Sequence, residues 1–230
     1  MENNVNSTKY NLILAICIIV IIGSITMIAI IYSLNRSEIE HFDYSEHQNS
    51  TVLTIDDYKF SLHEISYYIV KMEAHVDIAA HAYNEDKPAE YWKLYLNDGF
   101  IKDVIKEATI NLVIRDYIYA NEALKLGLSP DEERLDRLSD ETYETLKNMT
   151  GPQMEATNYT TKELYDVLYR IALAELYVNH ISEQNPNLTE VDFDPNGDYY
   201  KQIIPNYKVK INNKIWDKVD MGHISINTKK

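Results

Sequence analysis

Hydrophobic positions change their spacing several times along this chain, and each change marks a boundary. The run that opens at Leu12 and closes at Leu34, LILAICIIVIIGSITMIAIIYSL, is apolar without a period and carries no charge. At helical rise it reaches roughly 34 Å, enough for a hydrocarbon core of about 30 Å. The pattern therefore predicts a tail at 1–11 and a transmembrane anchor at 12–34. A cleaved signal peptide is the rival reading, but the run outlasts the usual apolar region of such peptides and no A-x-A site follows. Residues 35–50, NRSEIEHFDYSEHQNS, are polar and aperiodic and read as a tether.

At Thr51 a period of two begins. Val52, Thr54 and Asp56 alternate with Leu53, Ile55 and Asp57, and Tyr58 and Phe60 resume the alternation, which predicts a short hairpin. Ser61 and Glu64 form a Ser-x-x-Glu capping box, and Leu62, Ile65, Ile69, Met72 and Val76 follow at helical spacing, so a helix is expected to about Tyr83. A short helix from about Pro88, ended by Gly99, can turn Trp92, Tyr95 and Leu96 inward. From Phe100 to Leu126 there are two apolar stripes. Ile101, Val104, Ile105, Ala108 and Leu112 carry one; Ile110, Val113, Ile114 and Tyr117 carry the other. That helix requires cover on two sides.

Gly127 fits a C-terminal cap, and Ser129, Pro130 and Glu132 fit the opening of a thinly apolar helix carrying Leu135, Leu138 and Leu146. Residues 148–160 read as a loop or short helix. Thr160 with Glu163 then caps a helix in which Leu164, Val167, Leu168, Ile171, Ala174, Val178 and Ile181 keep core spacing. Residues 185–206 have loop composition. In 207–230 the strand period returns, with Asn212 and Asn213 at a turn position, so a second hairpin is expected to complete the first. The fold class expected is mainly α, with a helical domain at 51–184 and a small β element built from both ends of the extramembrane chain.

Charge refines this picture. Net charge is −14, and residues 208–230 contribute +4 of it, so the remainder is strongly acidic. An acidic body repels phosphate backbones and excludes nucleic acid as a partner. Lys9 makes the amino-terminal flank of the anchor the positive one, which places the domain outside the cytoplasm on a single-pass anchor in the cell membrane. The single cysteine, Cys17, lies within the apolar run, so no disulfide braces the domain. LAIC does not fit a lipoprotein box, because Ile16 stands where a small residue is required.

With these residues in place, the chain resembles the amino-terminal domain of the SurA and PrsA type of extracytoplasmic foldase. The resemblance lies in VLTIDDYKFS leading into LHEISYYI, in YANEALKLGLSPDEERLDRL and in TKELYDVLYRIALAELYV, and it spans roughly residues 52–181. It implies a domain that grips unfolded exported polypeptides, beside a parvulin domain that isomerises prolyl bonds. MGHISI resembles the first strand of a parvulin and would set His223 at an active-site histidine, but the rest of a parvulin does not follow. The expectation is a chaperone-like, non-enzymatic member of the family. The alternatives are an adaptor in a membrane complex, or a truncated peptidyl-prolyl isomerase. The tail at 207–230 is correspondingly either a returning β segment or a parvulin remnant.

Candidate chemistry is sparse. His63, His75 and His81 do not share the three- or four-residue spacing of a helical metal pair, and no phosphate loop, nucleophile elbow or zinc-protease motif is present. No cofactor is expected. Nineteen tyrosines stand out. Most suit core rims, with the ring buried and the hydroxyl wet; a subset could line a groove that takes non-native segments. The client-binding candidates are Tyr67, Tyr68, Tyr91, Trp92, Tyr95, Tyr117, Tyr165 and Tyr169.

Overall fold

The computed structural model describes residues 42–96 and 99–222. The anchor expected at 12–34 and His223 with the residues after it lie outside that range. Among the described residues, no helix is long and apolar enough to cross a membrane.

The domain is mainly helical and begins earlier than its polar composition suggested. Phe42 and Tyr44 are buried, and a short helix α1 (Tyr44–His47) is capped by the Asp43 carboxylate, which accepts the Ser45 N–H at 2.8 Å. Residues 42–50 are thus domain and not tether, because two aromatic rings find core to bury in. Strands β1 (Thr51–Ile55) and β2 (Tyr58–Ser61) then form the expected hairpin, turning at Asp56 with φ 51°. The pairing slips between Thr51 and Leu53, a bulge at Val52. It explains why Val52 and Leu53 are both buried where strict alternation would have exposed one.

Helix α2 (Leu62–Tyr83) starts on the capping box of Ser61 and Glu64. The next segment departs from the expected helix. Pro88–Lys93 is a 3-10 turn, and β3 (Tyr95–Leu96) with β4 (Gly99–Phe100) make a small ribbon. Trp92 faces inward, but Tyr95 and Leu96 face solvent. Helix α3 (Ile101–Lys125) follows and ends at Gly127, φ 72°. The cap of α4 (Glu132–Asn148) is Asp131, which accepts the Arg134 N–H at 2.8 Å, in place of Ser129. A carboxylate is the stronger acceptor for an unpaired helical amide.

Helix α5 (Gly151–Thr157) is short, and α6 (Thr161–Gln184) is capped by Thr160 and Glu163 as expected. Residues 185–206 are more ordered than their composition implied. They hold a 3-10 turn (Glu190–Phe193), α7 (Asp198–Ile203) and a further turn (Ile204–Asn206), because Phe193 and Tyr200 bury their rings against Tyr119 of α3. The chain then returns as β5 (Val209–Ile211), antiparallel to β1, giving the order β2-β1-β5. Asn212 and Asn213 do not turn a second hairpin. Asn212 ends the strand, its Nδ2 donating to the Thr51 carbonyl at 2.8 Å, and α8 (Asn213–Trp216) follows, burying Trp216.

Helix α3 is the central element, packed chiefly on α6 and also on α2. Its second stripe, Ile110, Val113 and Ile114, is fully covered. Its first stripe is covered only in part. Val104 stays exposed and Ile105 half-buried, and that uncovered stretch is where the candidate site lies. On the far side of α6, Leu138 of α4 joins Leu164, Leu168 and Ala172 in a small second core.

Candidate functional site

An open groove of about 420 Å³ runs between α2, the 3-10 turn and the start of α3, with the β3–β4 ribbon at its mouth. Its walls are supplied by His75, Val76 and Ala79 of α2, Tyr91 of the turn, and Ile101, Val104 and Ile105 of α3. Leu96 and Gly99 close the end at the ribbon. Each wall is placed by a local sequence cause. Alpha-helical spacing puts His75, Val76 and Ala79 on one face of α2, and Pro88 starts the turn that carries Tyr91 across to it.

The elements that form the groove carry several exposed apolar side chains. Tyr95 is 65% exposed and Ile78 75%, with Tyr83, Leu96, Phe100 and Val104 also open to solvent. Tyr95 stands edge-on to Phe100 across the ribbon at 5.3 Å, and Tyr83 lies 5.8 Å from Tyr91. Of the exposed side chains, Leu96 and Val104 line the groove itself, so part of its wall is apolar surface left open to solvent. Among the lining residues only His75 and Tyr91 carry ionisable groups, so a small polar ligand would meet few of the convergent polar contacts that such ligands require.

The tyrosines and tryptophan singled out in the sequence do not form one site. Tyr91 lines the groove, whereas Tyr95 is exposed on the adjoining ribbon and is not one of the lining residues. Tyr68 and Trp92 are core residues at 1% and 3% exposure and have no surface to offer a client. Burial drives the Tyr68 phenol well above its ordinary value, and the nearby Asp116 carboxyl adds to the effect. Tyr117 belongs to a box of rings with Tyr58 and Phe60, and that box is filled by the chain's own Arg170, whose guanidinium lies 4.9 Å from the Phe60 ring. Tyr67 is half-buried on α2, edge-on to Tyr68, with burial and the Glu141 and Glu175 carboxylates raising its phenol. Tyr165 and Tyr169 stack on each other at 6.2 Å along α6, beside the second core.

The groove residues that sequence reasoning missed are mostly aliphatic. Val104 and Ile105 were visible as half of a stripe, but nothing in a sequence states that a stripe will lack a neighbour. Comparison of the chain with protein-family models, with curated proteins and with solved structures gives no match.

The elements that carry the groove walls also hold the returning chain. Glu73 of α2 is fully buried, and its Oε1 accepts the Gly222 N–H at 2.7 Å. Gly222 has φ 85° and lies against the indole of Trp92, where an added Cβ would sit 2.4 Å from the ring. Tyr44 donates weakly to the Asp220 carbonyl at 3.4 Å. Burial pushes its phenol well up, and the Glu73 and Asp220 carboxylates add to that shift.

Proposed function

We propose that this chain is a membrane-anchored, chaperone-like protein that holds extended apolar segments of unfolded exported polypeptides in the groove between α2 and α3. The observation that carries this reading is the uncovered stripe of α3, where Val104 and Ile105 form an apolar wall continued by the exposed Leu96 of the ribbon. An open-sided groove of this volume takes one or two bulky side chains while the rest of a chain passes along the rim. Apolar walls with few polar contacts favour hydrophobic area over a particular hydrogen-bonding pattern, which suits many clients better than one. The likeness of residues 52–181 to the foldase amino-terminal domain supports the same reading, as does the uncharged run at 12–34 for an anchor that keeps the domain at the outer face of the membrane. The protein acts by binding, not by turnover.

The test uses the full chain in detergent micelles and several unrelated proteins, each reduced and carboxymethylated so that it stays unfolded. Binding is followed by fluorescence anisotropy. Val104→Asp places a carboxylate on an exposed position of the wall without disturbing the core, and it should weaken binding of every client about tenfold, an effect of about 1.4 kcal/mol. Equal binding by wild type and Val104→Asp would overturn the proposal, and binding confined to a single client would favour an adaptor.

A further inference from the structure

Three fastenings of the returning chain adjoin the groove walls. Lys106 of α3 donates through Nζ to the Asp217 carbonyl at 2.8 Å and lies 5.9 Å from the centre of the Trp216 ring; Lys106 follows Ile105, a wall residue. Glu73 of α2 holds the Gly222 amide, two positions before His75. Trp92 of the 3-10 turn lies against the Gly222 backbone, next to Tyr91. Between these points Val219 and Met221 are buried. The groove's three walls belong to separate elements, and one short segment touches each of those elements at a residue next to, or two positions from, a wall residue.

We infer that residues 217–222 are a strap that fixes the spacing of the groove walls, and through it the grip on an apolar segment. The functional consequence rests on the polypeptide-binding reading above, but the geometry does not. Gly222 is the closest fit. Its positive φ disfavours any side chain, and a methyl there would have to drive the Trp92 ring away to reach ordinary carbon contact. Because Trp92 and Tyr91 are neighbours in one turn, displacement of the indole moves the wall. Lys106 offers a milder release. Replacing it with Met keeps the aliphatic stem over Trp216 and deletes only the charged donor to the Asp217 carbonyl.

The experiment is pulsed electron–electron distance measurement on the full chain in detergent micelles, with Cys17→Ser removing the native thiol. Spin labels at Ala79→Cys and Leu96→Cys report across the groove, and labels at Asp140→Cys and Asp166→Cys report the α4–α6 spacing as a control. Gly222→Ala and Lys106→Met should each shift or broaden the groove distance, by about 1 Å or more for Gly222→Ala, the movement that relieves the contact with Trp92. The control distance should not change. An unchanged groove distance in both variants overturns the inference. So does equal broadening of both pairs, which would make the segment an ordinary part of the core. The distances are read without any polypeptide bound, so the strap and the binding function can fail separately.

Discussion

Asp56 and Lys208 bond to each other twice, although 152 positions separate them: the Asp56 amide donates to the Lys208 carbonyl at 2.9 Å, and the Lys208 amide donates to the Asp56 carboxylate at 2.8 Å. The first hairpin therefore captures the returning chain at its tip. At the other end of β1, Asn212 bonds to the Thr51 and Val52 carbonyls. An isolated two-stranded hairpin is marginal in water, and this clamp supplies the third strand.

Asp56→Ala should destabilise the domain by about 1–2 kcal/mol, from the lost charged acceptor and from a left-handed conformation that alanine tolerates less well. Urea unfolding followed by circular dichroism checks it. Removing residues 207–230 should do far more, because Trp216, Val219 and Met221 are buried and Val52, Leu53 and Ile55 lose their cover. The expected result is a large fall in melting temperature and loss of amide-exchange protection in β1.

Arg170 is braced by the rings of Tyr58, Phe60 and Tyr117, with centroids 5.7, 4.9 and 5.9 Å from its guanidinium carbon. A planar cation stacks on such rings where an ammonium does not. Arg170→Lys should therefore cost about 1–2 kcal/mol despite preserving the charge. Arg170→Lys as stable as wild type in the same unfolding measurement would refute a stacking role.

The end of α3 carries an acid-sensitive contact. Partial burial raises the Glu122 carboxyl, but hydrogen bonds from the Lys125 ammonium at 2.8 Å and the Tyr207 hydroxyl at 2.5 Å outweigh that and hold it below its ordinary 4.5. A carboxylate lowered in the folded state stabilises the fold above its unfolded value, and the contribution is lost as pH falls through the lower folded value. Tyr207→Phe should thus be less stable than wild type at neutral pH, and the difference should shrink as the pH is taken well below the ordinary 4.5 of the carboxyl. Parallel melts at neutral and acidic pH measure it.

Much of this architecture is legible in the sequence, and the reason is local. The capping boxes at Ser61 and Thr160, the cap at Gly127 and the alternation from Thr51 to Phe60 are decided by neighbouring residues. What was not legible depends on distant partners. Composition gives 185–206 as loop, yet Phe193 and Tyr200 order it by docking on Tyr119. The same limit applies to the site. Tyr68 and Trp92 have the amphipathic chemistry of a binding surface but lie under other elements, whereas Val104, with ordinary core chemistry, is left uncovered. Side-chain type indicates what a surface could bind, but only packing determines which residues become surface.

If unfolded polypeptide lies in the groove of α2 and α3, site-specific photocrosslinking will catch it there. A benzophenone amino acid replaces Leu96 at the groove mouth in one variant of the chain, and Tyr143 of α4, also exposed but not one of the groove-lining residues, in another. Each is irradiated with the same carboxymethylated clients. Strong crosslinks to several clients are expected from position 96, diminished by Val104→Asp, and only background from position 143. Equal yields from both positions, or crosslinks from position 96 that Val104→Asp leaves intact, would contradict binding in the groove.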